Sequence, residues 1–281
     1  MITKLMKQVR NMPKRSKVKP GSRTGLRRSL FTIPPTDTPK VSVIIPVVNE
    51  RRTLGAVIRQ AALAHPSTEV IVVANGSTDG SAELAERMGA RVLRYAQPLG
   101  HDVGRSIGAR AARGEVLLFT DGDIVIAAKD LAAMTNAVIA GADVALNQYL
   151  GPTGLMHVHG VVLAKHALNL MVGDAVNTGA SLTTIPHAMS RRARDIIGCE
   201  NLAVPPKAQT IAAFHGLQVR AAHYVEVGRR NRRRARGRVR GVDPLERLII
   251  GDHLEALAWH VAQTDVRGRL TDGGRSRESV C

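Results

Sequence analysis

The sequence predicts an α/β domain: a mostly parallel sheet with helices on both faces, followed by a smaller C-terminal region. Three observations carry this. Short apolar runs, rich in β-branched residues, alternate with segments of helical spacing over residues 40–149. The links between them are short. The polar, glycine-containing clusters fall after the apolar runs, where ligands bind in open parallel sheets.

The elements follow in order. Val41–Ile45 (VSVII), closed by Pro46, is a buried strand, and Arg52–Ala64 has helical spacing. Glu69–Ala74 (EVIVVA) is a second buried strand ending at Asn75-Gly76. Thr78–Met88 reads as a helix with Thr78 or Asp79 as its cap and Glu83 in its first turn. Arg91–Arg94 makes a third strand, Asp102–Ala112 a helix and Glu115–Thr120 (EVLLFT) a fourth strand. A helix over Ala128–Ala140 stops at Gly141, and Asp143–Tyr149 is a fifth strand. Beyond it the pattern is less regular. Helices are expected at Val158–Leu170, Ser190–Ile197 and Ala208–His215, a strand at Leu217–Val227, and a long helix at Asp243–Gln263 with Pro244 in its first turn.

Composition narrows the function classes. The chain has 281 residues, enough for a full hydrophobic core without staples. Two cysteines, Cys199 and Cys281, exclude a disulfide scaffold and a cysteine-based zinc site. Aromatic residues make up 2%, which argues against a base-stacking nucleic-acid binder and an aromatic sugar platform. The apolar run Val116–Ala128 is interrupted by Asp121 and Asp123 and falls short of a membrane span of ~20 residues. The basic N-terminus lacks the apolar stretch of a secretory signal. The expected location is cytoplasmic, with a peripheral position at the inner membrane face as its extension.

The net charge of +17 is local. Residues 1–28 hold ten Lys/Arg and no acid, and residues 229–240 (RRNRRRARGRVR) hold eight Arg and no acid. Together they exceed the whole net charge by one, so the remainder is close to neutral. Three organisational parts follow: a basic, flexible tail over 1–38, a first half over 39–150, and a second half over 151–281 with the Arg-rich loop and the last helix. The basic segments suit solvated loops, an anionic membrane surface, or closure of 229–240 over a phosphorylated ligand. Nucleic acid ranks last, because no other part of the sequence supplies a matching basic face.

Chemistry concentrates in three loops. The first is Pro46–Glu50. The second, Asn75–Gly80 (NGSTDG), offers Asn75 and Asp79 oxygens and glycines for close backbone approach. Its plain alternative is a pair of turn dipeptides with Asp79 capping a helix. The third is Asp121-Gly122-Asp123. Two carboxylates flanking a glycine suit a hard divalent cation, Mn²⁺ or Mg²⁺, completed by substrate phosphates. The plain alternative is an Asp-Gly turn.

In order, Val41–Ile45, Pro46-x-x-Asn49-Glu50, Asn75–Gly80 and Asp121-Gly122-Asp123 resemble the family 2 glycosyltransferases of the GT-A (Rossmann-like) fold, over about residues 39–150. The resemblance implies a metal-dependent, inverting transferase of bacterial cell-envelope type. It would take a UDP- or GDP-linked sugar and an unknown hydroxyl acceptor. It implies that Pro46, Asn49, Glu50 and Asn75 hold base and ribose, and that Asp79 belongs to that pocket or supports it. Asp121 contacts ribose or a metal-bound water, and Asp123 coordinates the metal. Many members carry Asp where this chain has Asn75. Arg105 stands at the basic position near the diphosphate, its plain alternative being a solvent-facing helical Arg; His101 stands near the position of a lysine in relatives.

The second half departs from the family pattern: no acidic pair follows a Gly-Gly-Phe turn. Candidate bases are Glu200 and, on the last helix, Asp252 and Glu255, which share a face three residues apart. His253 is instead a candidate third metal ligand, and His187 a candidate acceptor-site residue, with a packed core histidine as its plain alternative. Two other classes compete with the transferase: a catalytically silent sugar-nucleotide or membrane-surface binder, and a nucleotidyltransferase. The second is disfavoured because Val41–Glu50 contains no glycine.

Overall fold

A computed structural model describes residues 31–228 and 243–280. The first strand, β1 (Val41–Val47), shows why the sheet is covered on both sides. Side chains alternate across a strand. Val43, Ile45 and Val47 therefore enter one core, and Ile44 enters the other. β2 (Thr68–Asn75) repeats this, with Val70 and Val72 on the first face and Ile71 and Val73 on the second. An apolar run with no polar face is the signature of a sheet buried on both sides.

Seven strands form one sheet, in the order β3-β2-β1-β4-β6-β5-β7. β3 (Arg91–Tyr95), β2, β1 and β4 (Val116–Phe119) run parallel. β6 (His187–Ser190) is antiparallel to both β4 and β5 (Val144–Asn147), and β7 (Val219–His223) is parallel to β5. The sequence did not announce β6: four residues, HAMS, without a β-branched side chain, were expected to lead into a helix. Its insertion separates β5 from β4, and the second half thereby extends the same sheet.

On one face lie α1 (Arg51–Ala62), α2 (Ser81–Arg87) and α4 (Ala128–Ile139), through Leu54, Ile58, Ala85, Met88, Leu131 and Met134. On the other lie α3 (Val103–Ala111), α6 (Arg191–Ile197) and α7 (Pro205–Phe214), through Ala109, Ala193, Ile197 and Ile211. α3 crosses β1 so closely that a Cβ on Gly108 would lie 2.3 Å from Ile44 Cγ2. α7 starts three residues before the expected Ala208, because Pro205 and Pro206 fit its first turn. α5 (Gly160–Met171) and α8 (Pro244–Gln263) pack against each other. Asp243 caps α8 by accepting the Leu245 N–H at 2.9 Å.

The expected tail of 1–38 is corrected at its end. Ile33 is buried in the first core, its N–H donates to the Met88 carbonyl at 2.9 Å, and Phe31 packs beside it. The proline-rich segment anchors through one buried isoleucine. Residues 1–30 and the Arg-rich 229–240 lie outside the described residues. Ile33→Ala is expected to lower stability by about 2 kcal/mol, the low end for emptying a buried isoleucine site, read as a lower urea midpoint with unchanged slope. An unchanged midpoint would show that the docking of 31–38 contributes nothing.

Candidate active site

The loops after β1, β2 and β4 meet at the carboxyl end of the parallel strands and are tied together by side chain to backbone bonds. Asn49 sits in the left-handed region (φ 57°), which Asn tolerates better than most residues. Its Oδ1 accepts the Thr78 N–H at 2.8 Å, and its own N–H donates to Ser77 Oγ at 3.2 Å. Ser77 Oγ donates onward to the Val47 carbonyl at 3.1 Å. The Glu50 N–H donates to Ser81 Oγ at 3.0 Å. Thus the first two loops form one rigid rim.

Asp79 supports that rim. Its carboxylate accepts from the Arg51 N–H (2.9 Å), the Ser81 N–H (3.0 Å) and the Ser81 hydroxyl (2.5 Å). Burial alone would raise its pKa. The Ser81 hydroxyl and the two backbone N–H groups outweigh that and hold the carboxyl below its usual value. Asn75 is buried and likewise occupied: Oδ1 accepts the Leu99 N–H, and Nδ2 donates to the Gly100 carbonyl at 3.2 Å. Its amide fixes the loop after β3. An Asp at this position would have no donor for Gly100.

The Asp121-Gly122-Asp123 loop is held from below. Thr53 Oγ1 donates to the Gly122 carbonyl at 2.8 Å, and a Cβ on Gly122 would lie 3.0 Å from Val47 Cγ2. Gly122 therefore lets the loop lie flat on the end of β1, between the two acids. Arg105 is not the solvent-facing helical residue weighed as its plain alternative. It is 5% exposed, donates through Nη2 to Asp121 Oδ1 at 3.2 Å, and places Nη1 2.9 Å from Asp102 Oδ1. Burial disfavours its charge, but Asp102 and Asp121 outweigh burial and raise its pKa. The Nη1 contact lacks hydrogen-bond geometry, so this buried donor has no acceptor.

Asp102 is the site residue that the sequence reading missed. It was read only as the start of a helix, although an acid three residues before Arg105 on that helix was the available signal. Asp102 caps α3 in the left-handed region and lies 3.3 Å from His101 Nε2. Asp252, on α8, is coupled electrostatically to this pair. Its pKa is pushed up to about 6, first by burial, then by the Asp102 carboxylate, with Glu255 adding and His101 opposing. The structure thus brings Asp121, Arg105, Asp102, His101 and Asp252 into one charge network.

The other candidates lie elsewhere. Glu255 shares a face with Asp252 as expected, but its carboxylate pairs with Lys207 on α7 at 3.0 Å. Glu200 is exposed on a 3-10 turn, Cys199–Ala203, whose Cys199 carbonyl accepts from Ser106 of α3 at 2.6 Å. His187 is the core histidine: it stacks on Phe119 at 4.9 Å, and its Nδ1 lies 3.1 Å from the Thr184 carbonyl. Its pKa is lowered to about 3 by burial and then by the Arg105 cation, so it is neutral near pH 7. His253 is not a third ligand beside Asp121 and Asp123. It is buried in α8, its Nδ1 lies 2.6 Å from the Ile249 carbonyl, and its charged form is opposed by burial and by Lys165. Among the described residues no group of three or more His, Cys, Asp or Glu side chains is placed to hold a metal. The donor set that remains, two hard carboxylates on one rim loop, fits a cation that completes its shell with phosphate oxygens.

A mostly parallel sheet with a two-carboxylate loop beyond β4 is the GT-A architecture. Comparison with solved structures agrees on the fold. Glucosyl-3-phosphoglycerate synthase from Mycobacterium tuberculosis, in complex with Mn²⁺, UDP-glucose and phosphoglyceric acid, superposes with a TM-score of 0.58 at 17% identity, covering 78% of this chain and 80% of that one. Residues 42–154 match the model of glycosyl transferase family 2. Among curated relatives, polyprenol monophosphomannose synthase of Mycolicibacterium smegmatis is 30% identical over 48% of this chain and 54% of that protein. Dodecaprenyl-phosphate galacturonate synthase of Rhizobium johnstonii is 27% identical over 36% and 33%. The chain thus spans about half the length of the first and a third of the second.

Proposed function

We propose that this chain transfers a glycosyl group from a nucleoside diphosphate sugar, UDP- or GDP-linked, to an acceptor hydroxyl, with inversion at the anomeric carbon. The observation that carries this reading is the network at the carboxyl end of the sheet, in which the buried Arg105 joins Asp121 of the Asp121–Asp123 loop to Asp102, with Asp252 coupled electrostatically to Asp102. Pro46, Asn49 and Glu50 frame the nucleotide together with the Asn75–Gly80 loop. Asn75 and Asp79 act through the loops they hold. Asp121 and Asp123 would bind Mn²⁺ or Mg²⁺, which supplies Lewis-acid stabilisation of the leaving diphosphate. Arg105 fixes Asp121 and adds positive potential beneath the diphosphate. Asp252, ionised above about pH 6, takes the acceptor proton while the acceptor oxygen bonds to the anomeric carbon and the diphosphate departs.

The relatives named for polyprenol and dodecaprenyl phosphate support an acceptor presented at the cell-envelope membrane. No helix among the described residues is long and apolar enough to cross a membrane. The basic residues 1–30 and 229–240 supply attraction to an anionic cytoplasmic leaflet, each worth ~1 kcal/mol near the surface. These features support a peripheral position at the inner face.

Thermal melting with UDP and GDP, with and without Mn²⁺, tests the donor site. A ligand at 100 times its Kd stabilises by about 2.7 kcal/mol. A metal-dependent shift with one base is the expected result, and release of free nucleoside diphosphate on turnover completes it. A shift without release on a panel of envelope acceptors would mark a binding protein, and no shift with any nucleotide would overturn the reading.

A further inference from the structure

Arg105 has two counter-ions, and they are not equivalent. Nη1 lies 2.9 Å from Asp102 Oδ1, and Nη2 lies 3.2 Å from Asp121 Oδ1. The Asp102 side chain is 5% exposed and that of Asp121 is 35% exposed. A ligand at the rim can therefore reach Asp121, whereas Asp102 is closed in. Burial opposes the Arg105 charge, and Asp102 and then Asp121 restore it. Whatever draws the Asp121 carboxylate away leaves the guanidinium with Asp102.

Asp102 also sits in a strained backbone conformation. It is at φ 60° and ψ −14°, in the left-handed region, which is unfavourable for a residue with a Cβ. It occupies the N-cap of α3, where an Asp ordinarily accepts a backbone N–H of the first turn. Its side chain makes no such bond. Its two oxygens face side chains instead: Oδ1 faces Arg105, and Oδ2 lies 3.3 Å from His101 Nε2. Helix capping thus does not explain why an acid is held here. The place itself is fixed by close packing of backbone. A Cβ on Gly104 would lie 3.0 Å from Pro46 Cβ, so the start of α3 rests on the end of β1. Gly122 of the rim loop lies against Val47 of the same strand. Asp102, Arg105 and Asp121 are set against one strand end.

We propose that Asp102 is a positioning residue, the lasting counter-ion that holds Arg105 in place while Arg105 Nη2 turns from Asp121 to the donor diphosphate. Nη1 stays with Asp102, and Nη2 exchanges a carboxylate oxygen for a phosphate oxygen. A guanidinium suits this handover because its planar fork serves two partners at once. The inference rests on the donor reading above and deepens it: Asp102 acts on the second phosphate and not on the base.

The test measures affinities of the full chain for UDP and UMP, and for GDP and GMP, by calorimetry in the presence of Mn²⁺. The unaltered protein should bind one diphosphate more tightly than its monophosphate. Asn tolerates the left-handed region, so Asp102→Asn removes the charge and keeps the backbone. It should weaken the diphosphate about tenfold, as loss of support for one charge-assisted contact implies, and leave the monophosphate affinity unchanged. Arg105→Lys keeps the charge without the fork. It should weaken the diphosphate similarly, and the double variant should lose no more than either single one. Equal weakening of monophosphate and diphosphate by Asp102→Asn would assign Asp102 to the fold of the site and overturn the proposal. Losses that add in the double variant would overturn its action through Arg105. If Asp102→Asn does not fold, Arg105→Lys decides, and an undiminished diphosphate preference overturns the handover. These outcomes leave the donor reading standing, whereas an unaltered protein that binds none of the four nucleotides would overturn that reading and this inference with it.

Discussion

Asp123→Ala is expected to abolish the metal-dependent thermal shift with the cognate nucleotide while leaving the melting temperature of the free protein unchanged. The loop is held through its glycine: Gly122 lies against Val47, and its carbonyl is held by Thr53. Asp121 is different. Its carboxylate is one of the two that balance the buried Arg105, so Asp121→Ala would leave that cation to Asp102 alone. Breaking a fully buried pair from one side costs about 3–5 kcal/mol, and the loss here is smaller because Asp121 is 35% exposed and Asp102 still faces Arg105. Asp121→Ala should therefore lose both stability and metal response, whereas Asp123→Ala loses only the second. The contrast separates a cation site from a plain turn. An Asp123→Ala protein that keeps the full Mn²⁺-dependent shift of about 2.7 kcal/mol at saturating nucleotide would sink the assignment of the loop.

The first half of the fold was legible because its strands other than β3 (RVLRY) are apolar runs and each following segment has helical spacing, so period largely separates them. The site was legible as positions but not as partners. Asn49, Glu50, Asn75, Asp79, Asp121 and Asp123 do gather at one rim. That Asn75 spends its amide on Leu99 and Gly100, and Asp79 its carboxylate on Arg51 and Ser81, follows from contacts more than twenty residues apart in the first case and between two loops in the second. Helical spacing placed Arg105 on α3 but did not say which carboxylates meet its guanidinium. It also put Asp252 and His253 side by side in sequence. Adjacent residues on a helix point about 100° apart, so one faces the site and the other faces Lys165. β6 escaped for another reason: four residues carry too little pattern to mark a strand that its neighbours on both sides stabilise.

Asp252→Asn is expected to reduce turnover by about 10²–10⁴, the range for loss of a general base, with the nucleotide shift intact. Of the three carboxylates considered for this role, Glu255 is paired with Lys207 and Glu200 stands exposed beside α3. Asp252 alone among them is coupled to Asp102, whose side chain contacts Arg105 in the charge network. Burial and the Asp102 carboxylate push its pKa up to about 6. The active form of a base is the deprotonated one, so turnover should hold above that pH and fall roughly tenfold per unit below it. Glu255→Gln removes a like charge from the same helix face and should move the acidic limb to lower pH without lowering the plateau. The acceptor decides how large the Asp252 effect is. A hydroxyl must lose its proton as it attacks, whereas a phosphate oxygen is already anionic near neutral pH and needs no base. Full turnover by Asp252→Asn with an identified acceptor would remove Asp252 from proton transfer, and with a phosphate acceptor it would overturn the hydroxyl chemistry as well.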